Sequence, residues 1–172
     1  RSVVDPQGAG PVTDQWRFLL ALWGRCLVGA DMLPELGRFR PGPDVAYVLQ
    51  SLPSDLREFE ARLARARTQA SSPAVEAELR RLCVWTCKKL LRSGAELAML
   101  QDGRFTRDLG PCSQRFAKRL PEQAETARRL LEWAIQPPSD ASVLEQVVTQ
   151  LDQVVTELEP VLARAARDTV RK

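Results

Sequence analysis

Ser72 to Gly103 reads SPAVEAELRRLCVWTCKKLLRSGAELAMLQDG, and the reading of this stretch decides the fold. Ser72 followed by Pro73, with acidic residues just after, is a helix start. The serine hydroxyl suits the N-cap, and proline's fixed φ suits the first helical position. Leu79, Leu82, Cys83, Leu90, Leu97 and Met99 then supply a core side at helical spacing. The helix is predicted to run to about Leu100, with Gln101-Asp102-Gly103 ending it. A long helix that is apolar on one side needs other helices to cover that side.

The flanking sequence supplies them. Downstream, a basic loop leads to Gly110-Pro111, which begins a short helix carrying Phe116. Glu122 to Ile135 reads as a further helix with Leu130, Leu131 and Trp133 as its apolar residues. Pro137-Pro138 breaks the chain, and Ser139 or Asp140 is placed to cap a last helix. In that helix Leu144, Val147, Val148, Leu151, Val154, Val155, Leu158, Val161 and Leu162 form a near-heptad stripe. The many valines raise a strand alternative, but spacings of three and four fit better than alternation, and Pro160 predicts a kink. Upstream, Leu56, Phe59, Leu63 and Ala66 repeat with helical spacing after Pro53, which predicts a break or kink. A first helix is expected from Thr13 as N-cap, with Trp16, Leu19, Leu20, Trp23 and Leu27 inward and an end near Gly29. Pro34, Pro41 and Pro43 force an irregular connection after it. Residues 1–12 (RSVVDPQGAGPV) read as a linker or the remnant of a preceding domain. The fold expected for residues 13–172 is all-α: an antiparallel, up-and-down helical bundle of about five to six helices.

Composition supports this and excludes much chemistry. The 172 residues are 44% hydrophobic, only 6% aromatic, and dominated by strong helix formers. The longest apolar run, Phe18 to Leu22, is too short to cross a bilayer, and nothing reads as a secretory signal. With no histidine, neither a Ser-His-Asp nor a Cys-His arrangement can form. There is no GxxxxGK[ST], no GxGxxG and no D-x-D pair to hold two metal ions. Cys26, Cys83, Cys87 and Cys112 contain no CxxC. Cys83 and Cys87 stack on one helix face, but zinc would lack further ligands, so buried reduced thiols in a reducing, cytoplasmic compartment are expected and no metal site. The net charge is a mild +3, made of 21 Arg and 4 Lys against 22 carboxylates, and the arginines are scattered, so a nucleic-acid partner is not expected.

One stretch points to a site. Arg81, Trp85, Lys88, Arg92 and Glu96 follow one another at spacings of four, three, four and four, which places them along one stripe of the long helix. The loop after it adds Arg104, Thr106, Arg107 and Asp108. A basic helix face meeting a basic loop suits phosphate, because the guanidinium forks onto phosphate oxygens. The plainer alternative is a solvated face with an ion pair from Arg92 to Glu96.

KKLLRSGAEL (Lys88 to Leu97), followed by GRFTRDLGPCSQRF (Gly103 to Phe116), resembles the C-terminal helical region of bacterial nucleotidyltransferases. These belong to the polymerase-β-like superfamily, with a kanamycin-nucleotidyltransferase-like organisation. GRCLVGADMLPEL (Gly24 to Leu36) is similar to the segment that follows the catalytic domain there. The resemblance implies the acceptor-substrate-binding half of such an enzyme, with an N-terminal α/β nucleotidyltransferase domain as partner. That domain would bring magnesium and nucleotide, so this chain binds no cofactor and is not active by itself. Val3-Val4-Asp5 is the one candidate remnant of its last strand. On the same resemblance Lys88, Arg92, Arg104 and Arg107 face the cleft near phosphates, and Glu96 is the candidate catalytic base on the acceptor hydroxyl. Asp108 caps the next helix or pairs with Arg107, and Thr106 is structural. The acceptor is a small molecule or a macromolecule: an aminoglycoside, a protein side chain or an RNA end. The competing expectation is a helical interaction module without activity, using the Val/Leu stripe of the last helix to pair with a partner, including a homodimer.

Overall fold

The computed structural model describes residues 17–21, 24, 28 and 41–170. The linker, the Thr13 cap, Trp16, Trp23, Cys26, Leu27 and most of the Gly24-to-Leu36 stretch lie outside the described residues. Residues 17–21 are helical. After a 3-10 turn at Pro43–Val45 come α1 (Tyr47–Arg67), α2 (Pro73–Asp102), α3 (Leu109–Arg119), α4 (Ala124–Ile135) and α5 (Ala141–Val170). There is no strand among the described residues, and the fold is the all-α helical bundle expected.

The ends of these helices follow from single residues. Ser72 Oγ accepts the Val75 N–H at 3.4 Å to start α2, and Gly103, at φ 64°, ends it in the left-handed conformation that glycine tolerates. Asp140, not Ser139, caps α5: its Oδ1 accepts the N–H groups of Ser142 at 2.9 Å and Val143 at 3.0 Å. The break expected at Pro53 is absent. Helix α1 runs through Pro53 without a break, and α5 continues past Pro160. An interior proline costs about 3 kcal/mol. Leu52, Leu56, Phe59 and Leu63 are all buried on both sides of Pro53, and that packing outweighs the lost backbone bond.

Helix α2 is the hub, with α1, α3, α4 and α5 all packed on it. Its pairing with α1 is antiparallel: Glu96 meets Leu49, Lys89 meets Asp55, and Arg62 meets Glu78. The Val/Leu stripe of α5 is spent on the bundle's own core, with Leu144, Val148, Leu151, Val155, Leu158 and Leu162 fully buried. Gly94 shows how closely α3 approaches α2. A Cβ there would lie 2.3 Å from Cγ of the buried Phe116 ring, so only glycine fits. A smaller cluster of Phe18, Val45, Ala46 and Met99 closes the end of the bundle where α1 begins. Phe105 packs there, its ring edge-on to Phe18 at 4.8 Å. No helix among the described residues is long and apolar enough to cross a membrane.

Candidate functional site

The site begins with a helix that lacks a local cap. Ala46 holds the N-cap position of α1 and has no side-chain acceptor to offer the first turn. The acceptor comes from α2 instead. Glu96 takes the Leu49 N–H at 2.7 Å, and its carboxylate also bonds the Val48 N–H. The side chain is nearly lost to solvent, 5% exposed. Burial pushes its carboxyl up to about 7, against the opposing pull of the two N–H donors and the Arg107 and Lys89 charges.

This clamp sets the first turn of α1 against α2 and so shapes a cleft of about 470 Å³. Tyr47, Gln50 and Ser51 line it from α1, Lys89 and Arg92 from α2, and Arg107 from the loop. Asp55 is the carboxylate in it. Lys89 Nζ donates to Asp55 Oδ2 at 2.7 Å, and Ser51 Oγ donates to the same oxygen at 2.7 Å. Lys89 also lies over the Trp85 ring, 5.6 Å from its centroid, with Arg62 5.7 Å from the same centroid. Asp55 is thereby committed to Lys89.

Arg92 and Arg107 have no such partner. Neither forms an ion pair among the described residues. Burial lowers the Arg92 pKa from its ordinary value, the Arg107 charge beside it lowers it further, and its Nε is buried with no hydrogen-bond partner. Two guanidinium groups that repel one another at the mouth of a concave surface are held in place by the fold. A ligand that neutralises them relieves that cost. A phosphate, with several oxygens matched to the guanidinium fork, is the group this arrangement takes best.

The site residues read from the sequence divide in two. Arg92 and Arg107 come together. Lys88 does not join them, because adjacent helical residues point about 100° apart. It lies with Arg81, Val84, Trp85 and Pro137 in a neighbouring groove, and Lys89 takes its place in the cleft. Arg104 faces away as well, into a cleft with Arg115 and Lys118. Glu96 neither pairs with Arg92 nor lines the cleft. It is a cap for α1, and the carboxylate on the cleft surface is Asp55. Sequence reasoning misses Lys89, Asp55, Ser51 and the helix start that Glu96 serves. The sequence hides the last, because Asp44 stands just ahead as an apparent cap, and only its place in the 3-10 turn at Pro43–Val45 leaves Ala46 at the N-cap position.

The loop is built by its own short contacts. Thr106 Oγ1 accepts the Asp108 N–H at 3.3 Å, a contact that holds the loop rather than lining the cleft. Asp108 occupies the N-cap position of α3, but its side chain makes no capping bond. Cys112 sits beneath the loop with its thiol donating to the Thr106 carbonyl at 3.6 Å, and burial pushes that thiol up to about 11. Cys83, Cys87 and Cys112 are all buried and unbridged. No group of three or more His, Cys, Asp or Glu side chains is gathered for a metal ion among the described residues. No protein-family model, curated protein or solved structure matches this chain.

Proposed function

We propose that this chain is the helical, acceptor-substrate-binding half of a nucleotidyltransferase, and that the cleft between Lys89, Arg92 and Arg107 holds a phosphate of the nucleotide or the acceptor. One observation carries the reading. Arg92 lies in KKLLRSGAEL and Arg107 in GRFTRDLGPC, the two stretches that carry the resemblance, and both line the same cleft without an ion pair among the described residues. Gly94, in the first stretch, meets Phe116 at the end of the second, so the same two stretches also pack on each other. In this reading magnesium and nucleotide arrive with a separate N-terminal domain, and the chain works in the cytoplasm, where its buried thiols stay reduced.

The charge of the cleft also sorts the acceptors. A polycationic aminoglycoside would meet Arg92 and Arg107 as like charges, whereas an anionic acceptor is drawn in. Thermal melting with inorganic phosphate, Mg-ATP, the other nucleotides and an aminoglycoside panel tests this. A ligand at a hundred times its Kd adds about 2.7 kcal/mol. The expected result is a stabilising shift with phosphate or nucleotide that disappears in Arg92→Ala and Arg107→Ala. No shift with any anion, or a shift that survives both substitutions, refutes the cleft.

A further inference from the structure

Three members of the charged stripe on α2, Arg81, Trp85 and Lys88, take no part in the phosphate cleft. They line a separate open groove of about 500 Å³, where Arg80, Val84 and Pro137 join them. The α2 residues among these recur at the spacing of one helix face. Pro137 is the contribution of another element, the connection between α4 and α5. Among the described residues no carboxylate lines this groove.

The nearby carboxylates are spent elsewhere. Glu78 is shared between Arg62 at 2.7 Å and Arg81 at 3.1 Å, Glu132 pairs with Arg128, and Asp140 caps α5. Arg80 and Lys88 form no ion pair among the described residues. Arg80 is fixed at the groove by its bond to the Ser139 carbonyl at 3.0 Å, and its Nε is buried with no hydrogen-bond partner. Between the cations the surface is apolar. Val84 and Pro137 are half-buried, and the Trp85 ring, already engaged by Arg62 and Lys89, adds its remaining surface to theirs. Ile135, two residues before Pro137, is 61% exposed and leaves more apolar surface at the same turn of chain.

We infer that this groove docks an extended acidic segment of a partner protein, with one apolar side chain against Val84, Trp85 and Pro137 and a carboxylate to either side of it. This goes beyond the reading above and does not depend on the phosphate cleft. Charge complementarity sets the sign of the partner, since every charged residue lining the groove is a cation. Spacing sets its form. Arg81 and Lys88 are seven residues apart on α2, or about 10.5 Å along the helix axis. In an extended chain the first and fifth side chains share a face about 13 Å apart, with the third between them. The flexible stems of Arg and Lys close that difference. Arg81 is free to take part, because its side chain is 70% exposed and an ion pair so exposed holds it weakly to Glu78. A polynucleotide would answer the cations, but its bases need a free ring face, and the Trp85 ring is already engaged.

Fluorescence anisotropy of the full chain with a labelled heptapeptide tests this. The peptide carries Leu at its centre, Glu two residues to either side, and Ser elsewhere. Saturable binding is expected, weakened by about 10-fold or more when the central Leu is replaced by Ser. Lys88→Ala and Val84→Ser, both outside the phosphate cleft, are each expected to weaken it by about three- to five-fold, and Arg107→Ala to leave it unchanged. Circular dichroism checks that the variants are folded, and should one of the two groove variants fail to fold, the other decides. No binding to the native chain at peptide concentrations up to about 1 mM overturns the proposal, as does wild-type affinity in a folded groove variant. Tetraglutamate or an oligouridylate competing as well as the Leu peptide overturns it too, by showing a surface that takes any anion. Loss of binding in Arg107→Ala would move the peptide to the phosphate cleft and overturn it equally.

Discussion

Replacing Glu96 by glutamine should remove most of the pH dependence of this protein's stability between pH 5 and 8. Glu96 is 5% exposed and bonds two backbone N–H groups of α1, and burial still raises its carboxyl from the ordinary 4.5 to about 7. The native state therefore holds this proton more tightly than the unfolded chain does. The resulting stability is fully present below about pH 4.5 and is lost as pH rises through about 7. The gap between the two values corresponds to roughly 3 kcal/mol, of which about 2.5 kcal/mol disappears between pH 5 and 8. For a domain of this size that is a fall in Tm of about 5–10 °C. Among the described residues Glu96 is the one carboxyl with a resolved upward shift: the chain contains no histidine, and Glu78, Asp102, Glu125 and Asp140 all have carboxyls held below their ordinary values. In the variant the glutamine's amide oxygen can still accept the Leu49 N–H, so the protein is expected to fold. Melts of both proteins across pH 5 to 8 decide the matter: the wild type should fall while Glu96→Gln stays nearly flat. Parallel curves, or a wild type that melts higher at pH 8 than at pH 5, would refute the argument from burial.

Other outcomes follow from the same geometry. Gly94→Ala should cost about 2–3 kcal/mol in urea unfolding, because the Phe116 ring it strikes is fully buried, and Phe116→Leu in the same chain should recover part of the loss. Cys83, Cys87 and Cys112 are buried, and the Cys112 thiol is pushed up to about 11, so the native chain should expose at most one thiol to Ellman's reagent; reaction of two or more would contradict the packing. Phosphate binding near pH 7 should take up protons, since an anion at Arg107 and Lys89 weakens their hold on the Glu96 carboxylate. Calorimetry in two buffers of different ionisation enthalpy reads this directly, and equal apparent enthalpies would contradict it.

How much of this is legible in the sequence depends on the range of the interaction that fixes each feature. Ser72-Pro73 and Asp102-Gly103 bound α2 as read, because capping and left-handed glycine are settled within a few residues. Asp140 follows the same logic, with only the choice between neighbours left open. The stripe of α5 is legible because a period of three and four survives any tertiary arrangement. The break expected at Pro53 misleads for the complementary reason. Proline's penalty is local and roughly constant, while the burial of Leu52, Leu56, Phe59 and Leu63 that overrides it comes from helices far away in sequence.

The site is less legible because its parts are assembled across helices. Nothing within α2 distinguishes Lys88 from Lys89. Only Asp55, on α1, makes Lys89 the lysine of the cleft, and the register that brings Asp55 there is fixed by Glu96 capping Leu49. Glu96 stands out in the sequence as an acidic residue on a basic stripe, yet its charge answers the unsatisfied N–H groups of a helix starting at Tyr47 rather than its neighbour Arg92. That use of the carboxylate leaves Arg92 without an ion pair beside Arg107, and two guanidinium groups so placed are what makes the cleft a candidate for phosphate. The same substitution that tests the cap therefore bears on the site. If Glu96 were instead bridged to Arg92, α1 would lose its cap and the cleft would lose the charge that recommends it.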